Sequence, residues 1–419
     1  MLRKITPQEI SEVLKKAKNK SLIDEWDSSI IFYSFDILID RLNHLKETFP
    51  VNTFHAIAIK TNSLIEVLRF IVKNGFGLEA ASWEELQLAK QSGISNSKAV
   101  FDSPVKRKIE IELCSVNFEN IILNANCLEE LELIPNNPNF QVGLRINPLI
   151  KTGAPSIFDV STHRSKFGVP IDQSQKIINV CLKYPFISGL HMHSGSEISA
   201  IQNVVNAIGE LKLLADKINV YREKEGINPR INFIDIGGGI PADYSDNPQP
   251  GLNSYVEKIK KKCPDIFSKY RVITEFGQFI HANTSWVVSD IEYVLNPGKG
   301  YPNVALIHIG ADMFLRQAYS SNKKNFRLSV LDINDKIKTA NRQRYDIAGP
   351  LCFSGDYLFY NRELPELMKH DKLIIHDIGA NTYSLWSKHC NRDFPKVIGY
   401  SLQSDVFEII QFRKSCIYI

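Results

Sequence analysis
The sequence lacks an apolar run long enough to span a bilayer, and its amino-terminal stretch, Met1 to Lys20, is polar and lysine-dotted, without the apolar core of a signal peptide. A cytoplasmic protein with no membrane partner is expected. No charge sign dominates: 50 basic against 46 acidic residues leave a net charge of +4, too balanced for a surface that binds nucleic acid. Small molecules are the expected partners. Cysteine is scarce and scattered: Cys114, Cys127, Cys181, Cys263, Cys352, Cys390 and Cys416 show no paired spacing, which argues against a disulfide framework and a zinc site. No metal is expected, and most of these thiols are read as buried. Short-period repeats and low-complexity segments are also missing. What remains is a chain of 419 residues, 44% hydrophobic and 23% charged, long enough for a sizeable core and about two or three domains.

From about Val51 to Asn283, short apolar runs alternate with longer stretches of helical period, the pattern of parallel strands joined by crossover helices. Eight runs are counted, at 51–59, 76–80, 97–101, 119–124, 140–146, 186–193, 231–236 and 271–275. They are numbered strands 1 to 8 below, and eight such units close a barrel. Helices fit between them at Ser82–Gln91, Pro170–Leu182 and Asn203–Glu225. Beyond about residue 285 the rhythm changes to runs such as Trp286–Leu295, Asn303–Ile309 and Lys372–His376, separated by Pro, Gly and Asn turns. An antiparallel, β-rich second domain is the reading there, joined by residues 1–35, which leaves 36–284 for the barrel. The stretch 147–165 reads as a long polar loop bordering the barrel's active rim.

Catalytic groups of such barrels sit where strands end. Strand 1 runs into Ala58-Ile59-Lys60-Thr61-Asn62, placing a lysine where partial burial lowers its pKa and favours the neutral amine that forms a Schiff base. Alone, Lys60 reads first as a lysine snorkelling from a strand end. Strand 6 ends in His191-Met192-His193-Ser194-Gly195-Ser196, with both histidines on one face; one imidazole could stack on a flat cofactor, or both could be structural. Strand 7 ends in Asp235-Ile236-Gly237-Gly238-Gly239, whose glycines let backbone N–H groups approach an anion or simply make a tight turn. Strand 8 ends in Thr274-Glu275-Phe276-Gly277-Gln278, bringing to the same rim a carboxylate that could hold a protonated ring nitrogen.

In this order the motifs resemble the fold-type III pyridoxal phosphate (PLP)-dependent decarboxylases, the diaminopimelate and ornithine decarboxylase group, over nearly the whole chain. The resemblance implies a parallel (β/α)8 barrel of the TIM type with a β-rich second domain, and PLP as cofactor. It makes Lys60, followed by Asn62, the Schiff-base lysine, His193 the ring-stacking histidine, Ser196 a phosphate contact, Gly237, Gly238 and Gly239 the phosphate-binding glycines, and Glu275 the partner of the pyridine nitrogen. Arg145, with Asn147 and Pro148, matches the arginine-bearing end of strand 5, and Gly277 and Gln278 fall on the cofactor side of strand 8. In the second domain, Gly349-Pro350-Leu351-Cys352-Phe353-Ser354-Gly355-Asp356 matches a segment whose cysteine and aspartate reach into the partner subunit's site. A homodimer with shared active sites is therefore implied, with Cys352 as the acid that protonates the carbanion. Arg316 resembles the arginine that binds a substrate carboxylate, Tyr319 lies beside it on the substrate side, and Asp377, Gly379 and Ala380 resemble the last phosphate-side motif.

The sequence departs from the family at informative places. The pattern Glu-Pro-Gly-Arg is here Glu275-Phe276-Gly277-Gln278, so one positive charge near the phosphate is lost and weaker cofactor binding is expected. The tyrosine after Gly-Ala is Asn381, with Tyr383 as a substitute. Phe353 stands where diaminopimelate decarboxylases place a glutamate that reads the far ammonium group of the substrate. The implied activity is decarboxylation of an amino acid or a modified or carrier-linked derivative. A catalytically impaired binding or regulatory relative is the second reading, and a PLP racemase the third. Related alanine racemases place arginine at the ring nitrogen, so the carboxylate of Glu275 favours decarboxylation.

Overall fold
The computed structural model describes residues 2–154, 158–242, 244, 251–320 and 323–413. It divides into two compact units, one of residues 42–242 with 249–279, the other of residues 1–41 with 243–248 and 280–419. The first break falls inside the helix Phe35–Thr48.

The first unit is the expected barrel. Its strands are Phe54–Ala58, Gly77–Ala80, Ala99–Phe101, Ile122–Ala125, Gln141–Asn147, Ile187–His191, Phe233–Asp235 and Arg271–Thr274, each paired in parallel with the next. The ring closes where Ile273 and Thr274 pair with Phe54 and His55. Val51, expected in strand 1, is fully exposed and lies in the turn before it. The strands read as continuous apolar runs because both faces are covered, one by the lumen and one by helices. Ala56, Val100, Ile122, Phe233 and Ile273 form one core cluster. Phe233 fits because its neighbour on strand 6 is Gly189, where an added Cβ would lie 2.1 Å from the phenyl ring. The helices start where the chain supplies caps. Ser82 accepts the Glu85 N–H at 3.1 Å while the Glu85 carboxylate takes the Ala81 N–H at 2.7 Å, which opens Trp83–Gln91. Within the polar stretch 147–165, Thr152 and Phe158 meet the segment after strand 6: Ala200 N–H donates to Thr152 O at 2.9 Å, and a Cβ on Gly195 would meet Phe158 O at 2.3 Å. Its residues 155–157 lie outside the described residues.

The second unit is β-rich and takes strands from both chain ends, but its sheet is mixed rather than antiparallel. Ser29–Ser34 lies between Ser285–Leu295, antiparallel, and Lys396–Ser401, parallel. Asn303–Ile307 also pairs in parallel with Arg342–Ala348. Parallel neighbours are joined by long crossovers, and no local pattern marks which distant runs will meet. The lysine-dotted amino terminus is a helix, Pro7–Asn19. Thr6 caps it by accepting the Glu9 N–H, and Ile10, Val13, Leu14 and Ala17 form its buried stripe. That stripe joins a core with Phe32, Trp286, Ile398 and Tyr400, in which the Phe32 and Trp286 rings stack at 4.3 Å. Among the described cysteines, Cys114, Cys181 and Cys263 are buried, Cys127 is intermediate, and Cys352 and Cys390 are exposed. Fewer are buried than expected, and Cys416 lies outside the described residues. No described helix is long and apolar enough to cross a membrane.

Candidate active site
Each barrel strand hands its next few residues to one rim. Strand 1 passes into a single turn, Ile59–Thr61, in which the Thr61 hydroxyl donates to Ala58 O at 2.7 Å. Lys60 leaves this turn with Nζ 2.6 Å from Oε2 of Glu79, a wholly buried residue of strand 2. Burial pulls the Lys60 pKa down, but Glu79, Asp102 and Glu275 outweigh it and hold the ammonium well above the usual lysine value. The neutral amine expected at this position is therefore corrected. Three acids around Lys60 keep it charged until a proton is removed.

Strand 3 ends at Asp102, whose Oδ2 lies 3.5 Å from Nε2 of His191 and 4.0 Å from Nη1 of Arg145. Arg145 is buried, with its guanidinium over the Phe167 ring at 4.4 Å. Glu275 is buried, and its Oε2 lies 3.6 Å from both His191 Nε2 and His193 Nδ1. Neither Glu275 oxygen has a hydrogen-bond partner among the described residues. Burial pushes its pKa up, but His191, His193 and Lys60 hold it well below the usual carboxylate range. Asp235 goes the other way: burial and the Glu275 charge raise it well above its ordinary value. It accepts the Gly237 N–H at 2.9 Å and the Asn124 side-chain amide at 3.3 Å. His193 Nδ1 accepts the Gly238 N–H at 3.2 Å, and burial lowers its pKa, leaving a neutral ring with its proton on Nε2.

The glycine turn is packed between strand ends. A Cβ would lie 2.5 Å from Met192 O at Gly237, 2.4 Å from Glu275 O at Gly238, and 2.4 Å from Gly195 O at Gly239; Gly237 and Gly239 also have φ of 65° and 105°. Gly277 is equally confined, 2.4 Å from a Thr61 methyl. The turn spends the N–H groups of Gly237 and Gly238 internally. The Gly239 N–H and the hydroxyls of buried Ser194 and half-buried Ser196 have no partner among the described residues. Gln278 donates to Glu197 Oε1 at 3.3 Å.

A family model described as pyridoxal-dependent decarboxylase, pyridoxal binding domain, matches residues 36–282. The chain belongs to this family. PLP is the decarboxylase's cofactor, and the barrel residues fit it. An ionised, wholly buried carboxylate with no hydrogen-bonded partner suits a protonated ring nitrogen, and the unspent donors of Gly239, Ser194 and Ser196 suit a phosphate. A diaminopimelate decarboxylase of Archaeoglobus fulgidus is 25% identical over 410 residues, which cover 95% of this chain and 93% of that protein. That of Aquifex aeolicus is 23% identical over 408 residues, covering 96% and 92%. Among solved structures, Helicobacter pylori diaminopimelate decarboxylase complexed with L-lysine matches with a TM-score of 0.82 at 23% identity, over 95% of this chain and 97% of that one. A Paramecium bursaria Chlorella virus arginine decarboxylase matches at 0.77 with 17% identity, over 94% and 100%. One fold thus serves enzymes named for different amino acids.

Of the expected site residues, Lys60, Arg145, His193, Ser196, Gly237, Gly238, Gly239, Glu275, Gly277 and Gln278 all belong to the barrel unit. Glu79, Asp102 and Ser194 were not among them. The two acids were readable by the rule that found Lys60, since each closes or directly follows an apolar strand.

The remaining expected residues belong to the second unit. Arg316 and Tyr319 share the helix Leu315–Tyr319. The Phe353 ring stacks on Tyr319, with centroids 5.3 Å apart, and His389 lies 6.0 Å from Phe353. Cys352 is exposed. Asp356 is buried, 3% exposed, and its carboxylate accepts the N–H groups of Ala311 and Leu351 at 2.6 and 2.8 Å. It holds the Cys352 loop in shape. Asp377 is spent similarly, on Arg327 at 2.8 and 3.0 Å and Asn283 at 2.9 Å. Asn381 has a φ of 57°, and the Tyr383 hydroxyl is pushed up to about 12 by burial.

Proposed function
We propose that the enzyme removes the α-carboxylate of an amino acid whose far end carries an acidic or carbonyl group rather than a free amine. The observation that carries this reading is the Phe353–Tyr319 stack, an aromatic surface at the position where the resemblance places a glutamate. Cation–π attraction to these rings returns only part of what a charged hydrogen bond gives a desolvated ammonium, while Arg316, three residues before Tyr319, supplies a cation for an anionic far end. The relatives named diaminopimelate decarboxylase, one of them complexed with L-lysine, support the general chemistry.

When bound, PLP supplies an electron sink for the pair left behind by the departing carboxylate. Lys60 would carry it, once the ammonium that Glu79 holds at 2.6 Å has lost a proton. Glu275 would hold the ring nitrogen in its protonated form, and the neutral face of His193 would cover the ring. The phosphate would rest on Gly239, Ser196 and Ser194, with Gln278 completing that side. Cys352, exposed on its loop, would deliver a proton to the substrate carbon of a partner subunit's site, which requires a homodimer.

The test is carbon dioxide release from wild type over a panel of amino acids with amine, carboxylate and carbonyl far ends. Lys60→Ala, which should lose borohydride-fixable cofactor, serves as control. Release only from amino acids with a free distal amine refutes the proposed substrate class. Mixed Lys60→Ala and Cys352→Ala subunits should regain roughly a quarter of wild-type activity if sites are shared.

A further inference from the structure
His191 plays no part in the proposed chemistry, yet it is placed with care. Strand register sets Arg145 beside His191 and His191 beside Asp235, in one layer across strands 5, 6 and 7. Its ring is wholly buried, with Nε2 3.5 Å from Asp102 and 3.6 Å from Glu275. Arg145 stands 4.0 Å beyond Asp102. A row therefore runs Arg145, Asp102, His191, Glu275, in which the imidazole stands between two carboxylates. Neither ring nitrogen has a conventional hydrogen-bond partner among the described residues. An imidazole costs free energy to bury and an apolar ring does not, so the choice of histidine needs a reason.

Glu275 supplies it. The only other imidazole within reach, His193, presents to Glu275 the same Nδ1 that accepts the Gly238 N–H, so it has no proton to give there. Lys60 is engaged by Glu79. That leaves His191 as the group placed to donate to Glu275. Asp102, beside Arg145, faces the same Nε2 atom that faces Glu275.

We propose that His191 is a positioning residue which, shared between Asp102 and Glu275, keeps Glu275 ionised and fixed so that the pyridine nitrogen of the cofactor binds in its protonated form. The inference rests on the assignment of Glu275 to that nitrogen. The groups facing His191 from the neighbouring strand ends are Asp102, Arg145, Asp235, His193, Lys60 and Glu275. The same three side chains, Asp102, His191 and Glu275, offer ligand atoms within 4.8 Å of one another, so a bound divalent cation is the competing explanation.

The experiment compares wild type, His191→Phe and Asp102→Asn, each alone and combined with Glu275→Gln, all loaded with PLP carrying 15N in its ring. In His191→Phe the cofactor should bind at least about tenfold more weakly, because a buried charge has lost its partner. The ring 15N resonance should move towards its unprotonated position. In the Glu275→Gln background the same substitution should add no further loss, the signature of one residue acting through another. Asp102→Asn preserves shape and should move both readouts in the same direction by a smaller amount; it carries the test if His191→Phe does not fold. Additive losses, or a 15N resonance unmoved in both variants, overturn the proposal. So does a stoichiometric divalent cation found in wild type and lost from His191→Phe. Failure of wild type to take up PLP would instead overturn the assignment of Glu275 and leave no role for His191 to support.

Discussion
Replacing Glu79 with glutamine tests the electrostatic heart of the site. The change removes one charge from the group 2.6 Å from Lys60 Nζ, and it is nearly isosteric. A charge-assisted hydrogen bond is worth about 1.5–3 kcal/mol. The Lys60 side chain keeps 40% of its surface exposed while Glu79 has none, so solvent screening favours the lower part of that range. At about 1.36 kcal/mol per pKa unit, the Lys60 pKa should fall by roughly one unit. Asp102 and Glu275 remain in place, so it should not fall much further. The sign follows from which form reacts. Only the neutral amine attacks the cofactor's aldehyde, and a lower pKa makes that form available at lower pH. The midpoint of cofactor uptake by the apo-protein should therefore move about one unit towards acid, with uptake about tenfold faster on the rising limb. Stopped-flow absorbance after mixing with PLP, from about pH 6 to about pH 10, measures it. A midpoint that stays, or moves towards alkali, refutes the claim that Glu79 holds Lys60 charged.

Gly238→Ala puts a methyl group 2.4 Å from Glu275 O, so PLP affinity should drop at least about tenfold with far-UV circular dichroism unchanged; an affinity close to wild type would remove the turn from the cofactor site. Gln278→Arg should slow PLP dissociation by about threefold to tenfold by adding a charge-assisted contact; faster dissociation would place the phosphate elsewhere. Phe353→Glu should raise kcat/KM for meso-diaminopimelate by about tenfold to a hundredfold. A wild type that prefers that substrate, and gains nothing from the change, refutes the specificity reading. Asp235→Asn should cost less than about 1 kcal/mol of stability by chemical denaturation, because the buried carboxyl is already neutral and the asparagine carbonyl can still accept the Gly237 N–H; a loss several times larger would mean that Asp235 is ionised.

The barrel was legible because its strands are apolar on both faces and short, and because special residues punctuate their ends. Its edges were not, since Val51 is apolar and β-branched yet fully exposed before strand 1. The helix Pro7–Asn19 hid behind composition: its lysines were visible, whereas Ile10, Val13, Leu14 and Ala17 fall at helical spacing and are the residues it buries. Pairing direction in the second unit was not locally encoded, because Ser29–Ser34 takes a parallel neighbour more than 350 residues away, at Lys396–Ser401. Lys60 and Glu275 could be found from strand ends, but the direction of the Lys60 pKa could not. It depends on Glu79 and Asp102, which only barrel closure brings together. Asp356 fitted a motif by spacing, but its burial and backbone contacts were not legible there. Gly310 and Gly349 leave no room for a side chain beside its carboxylate, where a Cβ would lie 2.5 and 2.4 Å away.

The barrel rim gathers four buried carboxyl groups, Glu79, Asp102, Asp235 and Glu275, and surroundings this dry cannot keep four unpaired negative charges. The neighbours of each decide its form. Glu79 has the ammonium of Lys60, Asp102 has Arg145 and His191, and Glu275 has His191 and His193, each at 3.6 Å. Asp235 has no cation, only the N–H of Gly237 and the amide of Asn124, and burial raises both it and Glu79 well above the ordinary carboxyl range. The resulting order suits the chemistry without any one residue being exceptional. Asp235 shapes the glycine turn, Glu79 holds the lysine, and Glu275, the carboxylate held below its usual range without a hydrogen-bond partner among the described residues, is left facing the place where a cationic ring nitrogen would complete it. A substitution that alters the charge of any one of the four should therefore redistribute protons among the rest, and its effects should be read on the group as a whole.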